Sequence, residues 1–167
     1  RRLWEEAVAT RLRRRIPPAP TLQVRLRTAG MGESNVAQRV DEALATAGLR
    51  DGEGFDLAFY VADFGVDVVV RSRDRDRLEA VRATVRPALG GALFAEVDLD
   101  LPEVLLEVLR RAEATVAVAE SCTGGLVGAA LTAVAGSSDV FRGGVIAYDD
   151  TVKTDFLGVD PALLGEH

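Results

Sequence analysis

The sequence predicts two domains of different class: an α+β sandwich with one sheet, followed by the start of an α/β domain with a parallel sheet. Three observations predict this. Pro17, Pro18 and Pro20 interrupt a helical pattern, the next segment reads as strand, helix, strand, strand, helix, strand, and the remainder alternates helices with strands. We therefore assign residues 1–20 to the end of a preceding domain and a linker, 21–98 to the α+β domain, and 99–167 to the N-terminal part of the α/β domain.

The elements of the first domain follow from the spacing of apolar residues. Residues 2–15 have helical spacing, and the prolines end that helix and form a stiff link. Residues 21–27 alternate apolar and polar side chains, which indicates a half-buried strand. The same reasoning predicts a helix over 34–47 that stops at Gly48, strands over 56–62 and 66–71, a helix over 74–89 and a strand over 93–97.

The second domain begins after residues 98–102. Its predicted elements are a helix over 103–113, a buried strand over 115–119, a helix over 125–134, a strand over 143–148, and helices over 151–157 and 161–164. Spacing on the first helix indicates an apolar face made by Val104, Leu105, Val108 and Leu109. A sheet with two strands leaves its edges open, so we expect that further residues or a partner subunit cover them.

Composition limits the classes of function. The chain has 167 residues, 48% hydrophobic and 28% charged, with no apolar stretch near the roughly 18 residues of a spanning helix, so we expect a cytoplasmic protein without membrane contact. A single cysteine, Cys122, excludes an internal disulfide, and a single histidine, His167, excludes a zinc-ligand cluster. The net charge is -6, and the arginines at 11–15 suit a solvated face, so we do not expect a nucleic-acid partner.

The chemistry is predicted at the loop Ala119–Gly125, which reads Ala-Glu-Ser-Cys-Thr-Gly-Gly between an apolar run and a helix of small residues. Ser121 is a weak nucleophile until a base takes its proton, and no histidine is placed to do so. Lys153 is the single lysine among 20 basic residues, and a lysine can lose its proton where an arginine cannot. Tyr148 lies close to it in sequence, so a lysine or a tyrosine–lysine pair is the predicted base.

Three motifs carry a resemblance to a known family. They are Ala119-Glu120-Ser121-Cys122-Thr123-Gly124-Gly125, then Ala135-Gly136-Ser137-Ser138-Asp139-Val140-Phe141, then Gly143-Gly144-Val145-Ile146-Ala147-Tyr148 with Lys153. They resemble the C-terminal domain of the CinA family of competence/damage-inducible proteins, and residues 21–98 resemble the KH-like middle domain of that family. The resemblance implies an α+β KH-like domain followed by part of a three-layer α/β amidohydrolase domain.

The resemblance also implies an activity: hydrolysis of nicotinamide mononucleotide to nicotinate mononucleotide and ammonia. It places the nucleophile at Ser121 and its activating partners at Tyr148 and Lys153. The residues expected to contact substrate are Glu120, Cys122, Thr123, Gly124, Gly125, Ser137 and Ser138. It implies no cofactor for this reaction, a divalent metal only in the family's N-terminal domain, and a homodimer that binds a small nucleotide. We expect residues 1–167 alone to be inactive.

Several alternatives stay open at this stage. Cys122 is a second possible nucleophile, although a small buried packing residue is the stronger interpretation. Glu120 either orients the loop or caps the helix, and Thr123 either caps it or contacts phosphate. Amides of residues 122–125 could hold an oxyanion or a phosphate. Family members often read Tyr-Ser-Asn where this chain has Tyr148-Asp149-Asp150, and carboxylates there oppose a neutral lysine.

A second class of function competes with the enzyme. In that alternative the chain is a non-catalytic scaffold, its KH-like module mediates assembly or nucleic-acid contact, and the Ser-Cys-Thr-Gly-Gly loop is only a structural turn. Gly30-Met31-Gly32-Glu33 resembles the glycine loop of a KH fold, but its acid and the absence of basic excess favour domain packing.

Overall fold

The computed structural model describes residues 21–165, so the predicted helix over 2–15, the proline link, the arginines at 11–15 and His167 lie outside the described residues. The chain divides into two compact units between Asp98 and Leu99. The described elements of the first unit are β1 (Leu22–Thr28), α1 (Glu33–Thr46), β2 (Asp56–Ala62), β3 (Gly65–Ser72), α2 (Arg75–Leu89) and β4 (Leu93–Ala95).

The four strands of the first unit form one antiparallel sheet in the order β2-β3-β1-β4. A two-residue turn, Asp63 and Phe64, joins β2 to β3, so Ala62 lies opposite Gly65. The predicted order of strands and helices is therefore present, and the first unit is mixed α and β as expected.

Helices α1 and α2 bury their apolar faces against this sheet. The residues that the spacing places inward on α2 are all buried: Leu78, Val81, Val85 and Leu89. Asp74 begins the helix by accepting the N–H groups of Asp76 and Arg77. Gly48 ends α1 as predicted, with a φ of +68° and its N–H bonded to the carbonyl of Ala45.

Strand β3 is buried on both faces of the sheet. The alternating pattern of its neighbour β1 predicts instead that one face of the sheet is exposed to solvent. Val69 is fully buried on the side of the sheet opposite Val68 and Val70. On that side Arg27 donates Nε to Asp67 Oδ1 at 3.2 Å, and both residues are buried. Arg27 was expected on a solvated face, and its pairing with a carboxylate on the neighbouring strand explains why it is tolerated inside.

The last strand of the first unit is shorter than predicted. It ends at Ala95, because Glu96 turns toward α2 and forms ion pairs with Arg82 at 2.6 Å and Arg86 at 2.7 Å.

The second unit alternates helices with two parallel strands. Its described elements are α3 (Leu101–Arg111), β5 (Val116–Glu120), α4 (Leu126–Thr132), β6 (Phe141–Ile146), α5 (Asp150–Leu157) and α6 (Pro161–Leu164). Strands β5 and β6 pair in parallel, so the predicted parallel sheet is present among the described residues.

Two predictions of burial in the second unit are wrong. On α3 the buried residue is Leu106, whereas Leu105 and Val108 are exposed. The helix is apolar on two stripes, and the stripe of Leu106 and Leu109 is the one that packs against Leu131 and Val140. The strand at 115–119 was expected to be buried throughout, but Ala117 and Ala119 are exposed on the face that points away from α3 and α4.

Candidate active site

Ser121 and Tyr148 follow the carboxyl ends of two neighbouring parallel strands, on the same side of the sheet. Glu120, the last residue of β5, lies opposite Ile146, the last residue of β6. Beyond that pair, the N–H of Ala147 donates to the carbonyl of Glu120 at 2.6 Å. The carboxyl ends of parallel strands are where α/β proteins place their ligands and reacting groups.

Gly144 lets these two strands approach closely. A Cβ on Gly144 would lie 2.5 Å from Val118 Cγ2 and 2.9 Å from the Val118 carbonyl oxygen. Any side chain there would force β6 away from β5. Gly144 therefore permits the close spacing of the two strands whose ends carry Ser121 and Tyr148.

Glu120 is a buried carboxylate that holds the start of α4. Its Oε2 accepts the N–H groups of Gly125 and Val127, each at 3.0 Å, and its Oε1 accepts the N–H of Gly128 at 2.8 Å. Gly128 leaves room for the carboxylate, since a Cβ there would lie 3.3 Å from Oε1. Of the two roles left open by the sequence, Glu120 caps the helix and thereby also fixes the loop.

The ionisation of Glu120 follows from these contacts. Burial alone would raise its pKa, but the amides of Gly128 and Val127, the hydroxyl of Thr123 and the amide of Gly125 together hold the pKa below its ordinary value. Thr123 therefore acts on the carboxylate inside the turn.

The loop offers fewer free amides than the sequence suggests. Gly124 and Gly125 have φ values of +59° and +102°, which favour glycine. The N–H of Gly124 donates to the Ser121 carbonyl, and that of Gly125 is taken by Glu120. Within residues 21–165, the N–H groups of Cys122 and Thr123 have no hydrogen-bond partner. The expected anion cradle over 122–125 narrows to these two amides.

Both candidate nucleophiles point outward. Ser121 is exposed, and its hydroxyl makes no hydrogen bond with the described part of the chain. Cys122 is also exposed, so the expectation of a buried packing residue is wrong. Glu120 occupies the inside of the turn, which leaves the next side chains on its outside.

The predicted base is held by a neighbouring carboxylate. Lys153 Nζ lies 2.6 Å from Asp150 Oδ1, one turn earlier on α5. Tyr148 is 74% exposed. Among the residues that the structure describes, no hydrogen bond joins Ser121, Tyr148 and Lys153. The structure thus brings Ser121 and Tyr148 to the same end of the two strands, but no hydrogen bond connects the side chains of Ser121, Tyr148 and Lys153.

Asp149 begins the helix that carries Lys153. It accepts the N–H of Thr151 at 2.8 Å and the hydroxyl of Thr151 at 2.6 Å. The hydroxyl contact, then the backbone contact, hold the pKa of Asp149 below its usual value, against an opposing effect of burial and with a small contribution from the charge of Lys153.

Ser137 and Ser138 lie at the other end of the strands. They belong to a 3₁₀ turn over Ser137–Asp139 that precedes β6, whereas Ser121 follows β5. A five-residue strand separates the two ends by about 16 Å. The structure therefore does not bring this serine pair to Ser121, because sequence proximity to a strand does not say which end of the strand a residue joins.

Arg110 on α3 holds that serine turn. Its Nε donates to Asp139 Oδ2 at 2.7 Å, and its Nη2 donates to the carbonyl of Gly136 at 3.2 Å. The contact with Arg110 lowers the pKa of Asp139. Sequence reasoning missed this link, and no local signal joins residues 29 positions apart.

Within residues 21–165, no group of three or more histidine, cysteine, aspartate or glutamate side chains could hold a metal ion. None of the described helices is both long enough and apolar enough to cross a membrane.

Comparison with known proteins gives consistent matches. Residues 98–167 match the family described as the CinA C-terminal domain. The whole chain is 40% identical to a CinA-like protein of Synechococcus sp. (strain CC9902), of which it covers 40%. A CinA-like protein of Frankia casuarinae is 41% identical over 92% of this chain and 36% of its own length.

The chain thus spans about 40% of the length of the relatives it matches. Among solved structures, the crystal structure of the competence/damage inducible protein CihA from Agrobacterium tumefaciens is 40% identical over 39% of each chain, with a TM-score of 0.38. The similarity to the Synechococcus protein extends over both units of the chain and includes the loop around Ser121. Residues 98–167 thus correspond to the CinA C-terminal domain, and the chain along its whole length is similar to part of the longer CinA-like proteins.

Proposed function

We propose that the protein hydrolyses the carboxamide of nicotinamide mononucleotide to nicotinate mononucleotide and ammonia, with Ser121 as nucleophile. The match of residues 98–167 to the CinA C-terminal domain supports the class of reaction. The observation that carries the residue assignment is the position of Ser121: it is exposed, follows a parallel strand, and is flanked by the free amides of Cys122 and Thr123. A nucleophile needs an accessible oxygen beside donors that can stabilise an oxyanion.

The first half of the reaction forms an acyl-enzyme. Ser121 Oγ attacks the carboxamide carbon, and its proton passes to the neutral amine of Lys153, either directly or through the hydroxyl of Tyr148. The amides of Cys122 and Thr123 stabilise the negative oxygen of the tetrahedral intermediate. The carbon–nitrogen bond then breaks, Lys153 returns the proton to the leaving nitrogen, and ammonia departs.

The second half reverses these proton transfers. Water attacks the ester carbon and gives a proton to Lys153. The bond between that carbon and Ser121 Oγ breaks, the oxygen recovers its proton, and nicotinate mononucleotide leaves. Every step uses water and side chains of this chain. Lys153 Nζ lies 2.6 Å from Asp150 Oδ1, so the amine must leave that carboxylate to reach the hydroxyl of Ser121 or Tyr148.

The substrate phosphate is expected away from the start of α4. The amides of Gly125, Val127 and Gly128 already bind the carboxylate of Glu120. A second anion at the same place would meet that negative charge. Within the proposal, the Ser121 loop therefore contacts the reacting carboxamide, and other groups bind the phosphate.

We also propose the finer assignment of the two units. Residues 21–98 form the KH-like module and residues 99–167 form part of the amidohydrolase domain. The order β1-α1-β2-β3-α2-β4 around one antiparallel sheet supports the first assignment, and the match over 98–167 supports the second.

The test is ammonia release by the full-length protein from nicotinamide mononucleotide, followed together with the formation of nicotinate mononucleotide. Free nicotinamide is the control substrate for recognition of the nucleotide part. Equal amounts of ammonia and nicotinate mononucleotide are expected. Substrate that stays intact under these conditions would overturn the proposal, and ammonia without the carboxylate product would point to a contaminating activity.

A further inference from the structure

Strand β2 is one edge of the four-stranded sheet, and part of its backbone is unpaired. The two-residue turn makes Ala62 and Gly65 a hydrogen-bonded pair, and such pairs alternate along an antiparallel ladder. The backbone hydrogen bonds from β2 to β3 are therefore made by Asp56, Ala58, Tyr60 and Ala62. The intervening residues, Leu57, Phe59 and Val61, direct their N–H and C=O groups away from β3.

One end of this edge is already closed. Asp51 Oδ1 accepts the N–H of Leu57 at 2.8 Å, which also confirms the direction of that N–H. The N–H and C=O groups of Phe59 and Val61 have no partner within residues 21–165. The open part of the edge is therefore two residues, with Tyr60 between them.

The side chains of this stretch are apolar and accessible. Tyr60 is 47% exposed and Val61 is 75% exposed, while Phe59 is half-buried on the side of the helices. The segment from Leu57 to Ala62 has no charge and no proline, the features with which proteins usually protect an edge. The opposite edge of the sheet, β4, has only three residues.

We propose that β2 pairs with β2 of a second copy of this chain, antiparallel about a two-fold axis at Tyr60. Phe59 then lies opposite Val61 of the other copy, and Val61 opposite Phe59. Each of these two pairs exchanges two hydrogen bonds, so all four open groups on each strand are used. A continuous eight-stranded sheet results.

The register is self-complementary in its side chains as well. The three cross-strand pairs are Phe59 with Val61, Tyr60 with Tyr60, and Val61 with Phe59, and aromatic and β-branched residues pair favourably across strands. At each end Asp51 Oδ1 already accepts the N–H of Leu57, so the ladder between the two copies is limited to these three pairs. A two-fold contact of this kind closes, so it gives a dimer and not a fibre.

Disulfide cross-linking of the full-length protein tests both the contact and its register. In a background with Cys122 and any other native cysteine changed to serine, Tyr60→Cys places two thiols in a non-hydrogen-bonded pair with Cα atoms about 4.5 Å apart, within the range of a disulfide. Ala58→Cys is the register control, because its two copies are offset by four residues, about 13 Å along the strands.

Mild oxidation with copper phenanthroline is expected to convert the Tyr60→Cys protein to a covalent dimer on a non-reducing gel, and to leave the Ala58→Cys protein monomeric. Adding Val61→Lys to Tyr60→Cys should slow the cross-linking about tenfold, since two cross-strand pairs are weakened. Val97→Lys is the matched control, because Val97 is also exposed but lies outside β2, and it should leave the rate unchanged.

Two results would overturn the proposal. Equal cross-linking of both cysteine variants would exclude the register, and no dimer from Tyr60→Cys would exclude the contact, which would leave this edge to an extended peptide of another protein. Since the readout is the covalent dimer, it does not depend on the proposed amidohydrolase activity.

Discussion

The carbonyl oxygen of Glu120 accepts the N–H of Ala147 at 2.6 Å, one residue before Ser121 and one residue before Tyr148. This bond extends the β5–β6 ladder past its last paired residues. As a result, the proposed nucleophile and the tyrosine proposed to assist it start from neighbouring backbone positions. The proposed chemistry depends on that proximity.

Ser121→Ala is expected to abolish ammonia release, whereas Cys122→Ala is expected to retain it. Both side chains are exposed, so neither change should alter the unfolding midpoint. A loss of about 10³-fold or more in kcat is typical when a nucleophile is removed. Activity kept by Ser121→Ala and lost by Cys122→Ala would transfer the nucleophile to the cysteine.

Lys153→Arg is expected to be inactive, because an arginine keeps the positive charge but cannot accept the proton of Ser121. The measurement is the rate of ammonia release beside a circular dichroism spectrum. Arg111→Lys is the matched control, because it exchanges the same two residue types at an exposed position on α3. Full activity in Lys153→Arg would contradict the assignment of the base.

Glu120→Gln is expected to lower kcat/KM by about a hundredfold, the order of loss that follows a small displacement of reacting groups. The amide side chain cannot accept three N–H groups as the carboxylate does, so the turn that holds Ser121 should loosen. Glu113→Gln, an exposed change nearby in sequence, should have no effect. Unchanged kinetics in Glu120→Gln would contradict the positioning role.

The same carboxylate predicts a pH dependence of stability. The pKa of Glu120 is lower in the folded protein than in the unfolded chain, so its contribution is present above the unfolded value, about 4.3, and is lost as pH falls through the folded value. The difference in thermal unfolding midpoint between the native protein and Glu120→Gln should therefore shrink as pH is lowered below about 4. A difference that grows with acid would reverse the sign.

The buried ion pair of the first unit gives a prediction about stability alone. Asp67→Ala should destabilise the fold by about 3 kcal/mol, because it removes a carboxylate that the buried guanidinium of Arg27 contacts at 3.2 Å. Urea unfolding followed by circular dichroism measures the change. Asp56→Ala, on the exposed start of β2, is the control, and an equal loss in the two variants would contradict the argument.

Much of the first unit could be predicted from its sequence, because local signals agree there. Apolar spacing, Asp74 at the start of α2 and the stop at Gly48 place the boundaries of α1 and α2 within one residue of those in the structure. The buried pair Arg27–Asp67 could not be predicted, since an alternating strand reads the same whether its polar face meets water or a partner. Only the pairing of β1 with β3 decides between them.

The candidate site was less predictable, for geometric reasons. The strand, turn and helix around Ser121 follow from composition. The contacts of Glu120 could not be predicted, because they depend on the exact residue at which helix α4 begins. Helix α3 has two apolar stripes, so periodicity alone could not choose Leu106 over Leu105. Ser138 lies far from Ser121 because β6 runs parallel to β5, and a local sequence pattern does not show the relative direction of two strands.

Lys153 is the single lysine of a chain that otherwise uses arginine for its cations, and three-quarters of its side chain is covered. Within residues 1–167 an acylating reagent therefore has one side-chain amine as its target, and that amine lies in the proposed site. The rate of its modification at different pH values would report the fraction of neutral amine directly. An unusual residue usage thus gives this protein a built-in chemical probe, placed on the group whose protonation decides the proposed mechanism.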